Sequence, residues 1–285
     1  MRREKLSLEH RAPLYGIFRD LRLSISEYSF ANLFLFREAH EYEVVFDDHM
    51  FVEGKTYGGE KFLLPAFDLR KADISYIRKV MDGGHMLFPV AEEQLGLFEG
   101  PGFAHECHED DMDYVFTVEK ISTYPGKKLH SKRNLLTQFL NAYEHEKFPI
   151  DAQRRGDALG ILERWQKESG MPAEETDYRA CREALELQDE LILCGGIYYV
   201  FGEPAGFILG EEINEEMFAL HFAKGLTKFK GIYQFMYNSC AGVLGAYYKY
   251  LNFEQDLGKV SLRQAKSSYH PDLMIKKYRV RLRQS

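Results

Sequence analysis

The sequence predicts an α/β protein in which mixed sheets are flanked by helices. Three observations carry that prediction. Between Tyr42 and Phe67, β-rich runs (Tyr42 to Phe46, Met50 to Glu53, Lys61 to Pro65) alternate with Asp47-Asp48 and Gly58-Gly59 turns, the mark of an antiparallel meander. A second set, Cys194 to Phe201, Ala205 to Glu211 and Glu216 to Ala223, is split at Gly202-Glu203-Pro204 and Ile213-Asn214-Glu215. Helical periodicity surrounds both sets, as at Leu129, Leu135, Leu136, Phe139, Leu140 and Tyr143. With 285 residues, 45% of them hydrophobic and 14% aromatic, the chain can bury a sizeable core as one large domain or two smaller ones.

Taken in order, Ser7 to Leu21 reads as a helix, and the aromatic run Tyr28 to Phe36 as core or pocket wall. Asp68 is placed to cap a helix carrying Ile74, Ile77, Val80 and Met81, which Gly83-Gly84 ends before a strand at Met86 to Val90. Asp113 to Val118 alternates as a strand, Lys128 to Tyr143 is helical, and Phe148 to Ile150 is a short strand. Helices over Ala152 to Glu168 and Ala173 to Leu191 then open the second half. After the second meander come a loop at Lys224 to Gly231, a helix from Ile232 to about Tyr250, a strand at Leu251 to Asp256, a helix at Ser261 to Ser268 and a strand around Leu273 to Val280.

Composition removes several function classes. Lys and Arg total 37 against 44 Asp and Glu, so the formal net charge of -7 disfavours broad attraction to nucleic acid, though local basic patches remain open. The basic opening Met1 to Lys5 leads into amphipathic sequence with no signal-peptide core, which reads as cytoplasmic. The longest nearly uncharged run, Leu191 to Gly202, falls short of the ~20 apolar residues of a membrane span. Cys107, Cys181, Cys194 and Cys240 form no CxxC pair, so neither a disulfide scaffold nor a thiolate zinc site is indicated. His105 to Asp111 lacks the spacing of a standard metal motif and reads as a solvated acidic loop; no metal is expected.

The stretch most suggestive of a site is Asp113 to Asn134, where an acid-led strand runs through Tyr124-Pro125-Gly126 into a basic helix start. Lys127, Lys128, Lys132 and Arg133 cluster there, arranged to hold a phosphate, carboxylate or tRNA backbone by charge-assisted hydrogen bonds. The bland alternative is a solvated basic turn offset by the acids at Glu106 to Asp113. Tyr124 and Pro125 read as turn formers, and Asn134 as either a substrate contact or a cap. The run Tyr124 to Asn134 resembles the hallmark of the phosphatidylglycerol lysyltransferase C-terminal domain family.

The second constellation is Asn252-Phe253-Glu254-Gln255-Asp256-Leu257-Gly258, followed by Arg263, Lys266 and Pro271. It resembles the C-terminal signature of the same family. As a strand, Asn252 to Asp256 would set Asn252, Glu254 and Asp256 on one face, where Glu254 or Asp256 would take a proton from an attacking amine and Lys266 would bind an anion. An edge strand of solvated acids paired to Arg263 and Lys266 is the alternative. Lone His221 on the preceding strand would serve as a base or as hydrogen-bonded packing, and Tyr237, Tyr247, Tyr248 and Tyr250 read as a core stripe.

The resemblance covers most of the chain and implies two GNAT-like acyltransferase halves, here divided as residues 1–150 and 151–285. It places Lys228, Lys230 and Gly231 where a GNAT enzyme cradles a pyrophosphate, but the usual Gln/Arg-x-x-Gly-x-Gly/Ala pattern is absent. The implied activity is transfer of an acyl or aminoacyl group, from acyl-CoA or aminoacyl-tRNA, to an amine or hydroxyl acceptor such as a small molecule or lipid headgroup. No further cofactor is required. A non-catalytic binding protein that keeps the fold is the alternative.

Overall fold

The computed structural model of the chain describes residues 2–100 and 102–283; Met1 of the basic opening lies outside them. In chain order the elements are β1 (Arg2–Lys5), α1 (Arg11–Leu21), α2 (Phe30–Leu35), β2 (Glu43–Phe46), β3 (Met50–Lys55), β4 (Lys61–Pro65), α3 (Ile74–Met81), β5 (Met86–Val90) and β6 (Phe103–Cys107). There follow β7 (Asp113–Thr117), α4 (Val118–Thr123), α5 (His130–Ala142), β8 (His145–Pro149), α6 (Arg155–Ser169), α7 (Tyr178–Glu186), β9 (Cys194–Val200), β10 (Glu203–Asn214) and β11 (Met217–Gly225). The chain ends with α8 (Ile232–Leu244), β12 (Tyr250–Asn252), α9 (Val260–Ser267), β13 (Leu273–Ile275) and β14 (Tyr278–Leu282).

The α/β class expected from the sequence is the observed one: two mixed sheets flanked by helices. One sheet has the order β1-β2-β3-β4-β5-β14-β6 and the other β13-β7-β12-β11-β10-β9-β8, seven strands each. They share a plan. In each, three antiparallel strands (β2-β3-β4, or β9-β10-β11) lead through a helix (α3 or α8) to a parallel partner (β5 or β12), and a distant strand then pairs antiparallel beyond it (β14 or β7). The helix returns the chain for parallel pairing, which no tight turn can do.

The chain divides into two compact units. The first comprises Met1–Asp113, Gln255–Val260 and Met274–Ser285, and the second Tyr114–Glu254 and Ser261–Leu273. The expected junction at residues 150 and 151 falls within the second unit, between β8 and α6. The core of the first unit gathers Val45, Phe51, Leu63, Ile77, Leu87 and Val280 between its sheet and α3. All six residues of α2 are buried, which removes the amphipathic stripe that marks a surface helix. In the second unit α5 packs on α8, and α6 and α8 pack on β10.

Several local expectations need correction. Asp68 caps a single 3-10 turn, and Asp73 caps α3 by accepting from the Ser75 amide at 2.8 Å. Ser7 likewise precedes a 3-10 turn ahead of α1. The acidic loop begins on β6, where Glu106 pairs with Arg281 and, further on, Asp111 with Arg279. Lys276 and Lys277 separate β13 from β14 where one terminal strand was expected. Helix α8 stops at Leu244, so Tyr247, Tyr248 and Tyr250 lie beyond it, and Tyr247 is 72% exposed rather than core.

Candidate active site in the second unit

The strand expected over Asn252 to Asp256 stops at Asn252. Glu254 has φ +59°, a left-handed conformation that breaks the strict alternation of a strand, so Asn252, Glu254 and Asp256 do not share a face. The Asn252 side chain fixes the turn, its Oδ1 accepting from the Glu254 amide at 2.7 Å. Such strain in a non-glycine residue persists only where its surroundings over-determine it.

Those surroundings are His221 and Lys266. His221 Nδ1 lies 2.8 Å from Glu254 Oε1, and its Nε2 lies 2.8 Å from Glu211 Oε1 on β10. Lys266 Nζ, from α9, donates to the Glu254 carbonyl at 3.2 Å. The imidazole is buried and the Glu254 side chain is 15% exposed. Burial works against charge on His221, but Glu254 and Glu211 outweigh it and push its pKa up to about 10. His221 is therefore an imidazolium at neutral pH, which corrects its reading as a base.

A β-bulge presents this histidine. In the β10/β11 ladder Leu209 pairs with Phe222 but Gly210 pairs with Leu220, leaving His221 as the extra residue on β11. A bulge bends its strand and re-aims a side chain. Gly210 is obligatory opposite it, because a Cβ there would stand 2.0 Å from the Ala219 carbonyl oxygen. The sequence signal was faint: a glycine before Glu211 and a histidine inside an otherwise apolar strand.

The basic motif lies in the same unit and meets the same segment. After β7, Thr117 caps the short helix α4, which ends at Tyr124 in the left-handed conformation at φ +45°. Tyr124 is buried and donates its hydroxyl to the Gln234 carbonyl at 2.9 Å, and Arg133 Nη1 donates to the carbonyls of Tyr124 and Gly126. Arg133 thus holds the Tyr-Pro-Gly turn. Lys132 is the half-buried cation: its Nζ donates to Ser268 Oγ at 2.7 Å and sits 4.1 Å from the centre of the Tyr269 ring. Burial lowers its pKa, and its partners are a hydroxyl and a ring face, with no carboxylate.

Segment 266–269 therefore joins the two constellations, since Lys266 holds the Glu254 carbonyl and Ser268 receives Lys132. Lys127 and Lys128 are exposed on the turn before α5, Asn134 faces His130 at 3.4 Å, and Arg263 is half-buried on α9. Asp256 belongs to the first unit, is fully buried, and accepts from the Gly258 amide at 2.9 Å to shape a turn.

The loop between β11 and α8 turns backbone donors inward on the protein, those of Leu226, Thr227, Phe229 and Lys230 among them. The Thr227 amide and hydroxyl both donate to Glu168 Oε2, at 3.2 and 3.1 Å, and the Lys230 amide to the Tyr143 hydroxyl at 3.3 Å. The Phe229 and Ile232 amides donate to Leu226 and Phe229 carbonyls. Lys228 pairs with Glu203 at 2.7 Å, and buried Lys224 pairs with Asp177 at 2.6 Å. Gly231 is required for packing: at φ +89°, its Cβ would meet the Leu135 carbonyl oxygen at 2.4 Å.

Residues 18–281 match the family model of the phosphatidylglycerol lysyltransferase C-terminal domain. The chain belongs to that family. A solved family-sized structure, a conserved protein of unknown function from Bacteroides thetaiotaomicron, is 26% identical with a TM-score of 0.87, covering 99% of this chain and 100% of that one. The C-terminal domain of a protein assigned as a lysylphosphatidylglycerol synthetase from Agrobacterium fabrum superposes with a TM-score of 0.66 at 13% identity, over 98% of this chain and 93% of its own. An uncharacterised protein of Mycoplasmoides gallisepticum is 27% identical over 183 residues, which are 61% of this chain but only 58% of that protein's length. The fold is thus shared with these solved structures, and it is the α/β arrangement of mixed sheets flanked by helices expected from the sequence. Among the described residues, no helix is long and apolar enough to cross a membrane, and no cluster of three or more His, Cys, Asp or Glu side chains is arranged to hold a metal ion.

Proposed function

We propose that this protein is an aminoacyltransferase that moves an aminoacyl group from aminoacyl-tRNA to an amine or hydroxyl acceptor, with its site in the second unit. The observation that carries the reading is the convergence of Lys132 and Glu254 on segment 266–269. A half-buried ammonium without a carboxylate suits a backbone phosphate of the donor, with exposed Lys127 and Lys128 adding long-range attraction. The committed amides of the β11–α8 loop favour this donor over acyl-CoA, because a pyrophosphate cradle needs those N–H groups unoccupied. Lys228, Lys230 and Gly231 then serve the loop itself.

In the reaction the acceptor nitrogen or oxygen attacks the ester carbonyl carbon, and its proton passes to Glu254. The nucleophile becomes strongly acidic as its bond forms, so a carboxylate suffices to accept its proton. The tetrahedral intermediate then collapses, releasing the ribose oxygen of the tRNA, which takes the proton from Glu254 and restores its carboxylate. His221 and Lys266 hold Glu254 in place. The family's name makes a lipid headgroup hydroxyl the first acceptor to try, met at the protein surface.

The test incubates the protein with aminoacyl-tRNA carrying labelled amino acids, with phosphatidylglycerol vesicles or with small amines as acceptors. Label should move from tRNA to acceptor, and Glu254→Gln should slow transfer by about 10²–10⁴-fold. Absence of transfer from every aminoacyl-tRNA, together with binding of acyl-CoA, would overturn the reading; donor binding that Glu254→Gln leaves intact without turnover would favour a binding protein.

A further inference from the structure

A buried polar knot in the first unit has no part in the proposed chemistry. Lys277, in the link between β13 and β14, is fully buried, and its Nζ lies 2.6 Å from Asp113 Oδ1, 2.6 Å from Glu27 Oε2, 2.8 Å from Gln255 Oε1 and 3.1 Å from Ser26 Oγ. Asp113 also accepts from the Ser26 amide and hydroxyl, both at 2.9 Å. The knot ties together chain segments that are far apart in sequence: residues 26–27, 113, 255 and 277.

Glu27 and Asp113 share the Lys277 ammonium, and two carboxylates on one cation sealed from water cost several kcal/mol unless a proton neutralises one of them. The hydrogens do not balance. Ser26 Oγ lies within hydrogen-bonding distance of Asp113 Oδ1, of Glu27 Oε2 at 3.2 Å and of Gln255 Oε1 at 3.3 Å, yet it owns a single hydrogen. A proton on Glu27 resolves both counts: Glu27 donates to Ser26 Oγ, and Ser26 donates to Asp113.

We propose that Glu27 is a proton switch, carrying a proton while the lysine knot is closed and losing it as the pH rises towards neutral, which loosens the first unit. Asp113 accepts from the Ser26 amide, the Ser26 hydroxyl and the Lys277 ammonium. The other titratable groups facing Glu27 do not compensate its charge: Tyr42, ahead of β2, and neighbouring Tyr28 are buried phenols whose own protons Glu27 helps to retain. Burial is the largest influence on Glu27, opposed by Lys277 and reinforced by Asp113, and it pushes the pKa up to about 7. A carboxyl group raised in the folded state stabilises fully below its unfolded pKa, and that stabilisation is lost as pH rises through the folded value.

The test is urea unfolding of wild type and Glu27→Gln from pH 4.5 to 8. Gln keeps the shape, and its amide does not titrate, so its contribution is independent of pH. The unfolding constant of wild type relative to the variant should rise by up to tenfold per pH unit between about pH 4.5 and 7, then level off. A ratio that does not change with pH overturns the proposal. Should Glu27→Gln fail to fold, the Glu27 carboxyl carbon is followed by NMR in wild type: a midpoint near 7 supports the switch, and one in the ordinary range near about 4.3 overturns it. None of this depends on the aminoacyltransferase reading, so the two stand or fall separately.

Discussion

His221 meets Glu254 across 2.8 Å from a β-bulge, although 33 residues separate the two in the chain. The pair makes a buried imidazolium the partner of the carboxylate assigned to proton transfer. Replacing His221 with Leu leaves Glu211 and Glu254 without their shared counter-charge, at an expected cost of about 3–5 kcal/mol. Urea unfolding measures that cost. His221 has a folded pKa raised above its unfolded value near about 6.5, so its contribution is complete below that pH and is lost as pH rises through about 10. The difference in stability between wild type and His221→Leu should therefore shrink between about pH 7 and 10.

Lys132 and Arg133 are neighbours with different expected roles. Lys132→Ala should change stability by less than about 1 kcal/mol, because no carboxylate depends on its ammonium, and should weaken binding of tRNA in a gel-shift assay. Arg133→Ala should cost about 1–3 kcal/mol by leaving the Tyr124 and Gly126 carbonyls without their donor, and should show it as a lowered Tm. Equal effects of the two substitutions on both measurements would contradict this division.

Gly210 and Gly231 are predicted to tolerate no side chain. Ala at 210 places its Cβ against the Ala219 carbonyl, and Ala at 231 meets the Leu135 carbonyl at φ +89°, so each should destabilise by about 1–3 kcal/mol or more. Gly210→Ala should also lower transferase activity, since it distorts the bulge that aims His221. Gly160→Ala, with open space around its Cβ, is the control and should be neutral to slightly stabilising.

Acetyl-CoA should give no thermal shift with wild type, because Glu168 and the Tyr143 hydroxyl occupy donors that a pyrophosphate would need. A saturable rise in Tm with acetyl-CoA would restore the acyl-CoA donor. Glu168→Ala releases the Thr227 amide and should cost about 0.5–1.5 kcal/mol from the lost hydrogen bonds.

Local structure was readable where its causes are local. The β2-β3-β4 and β9-β10-β11 meanders follow from alternation and turn residues, β5 coincides with its expected bounds, and α5 follows from apolar spacing. The site was legible in part: Glu254, Lys132 and Lys266 carry composition that marks them, whereas Glu211 and His221 are single polar letters in apolar strands. Short α4 went unseen because six residues hold too little periodicity, and β6 because its exposed acidic residues read as a loop.

By itself the sequence determined the class of fold, the order of its elements and the two stretches where chemistry is concentrated, since backbone preference and side-chain period act over neighbouring residues. Only the tertiary structure decided that Lys132 and Glu254 belong to one unit and meet at 266–269, that β14 and β7 complete sheets remote in sequence, and that Lys277 closes a knot with residues 26, 27, 113 and 255. Those outcomes depend on pairing and burial between segments remote in the chain, 136 residues apart for Lys132 and Ser268 and 251 for Lys277 and Ser26. Such contacts are set by the free energy of the whole chain, and no window of sequence contains them.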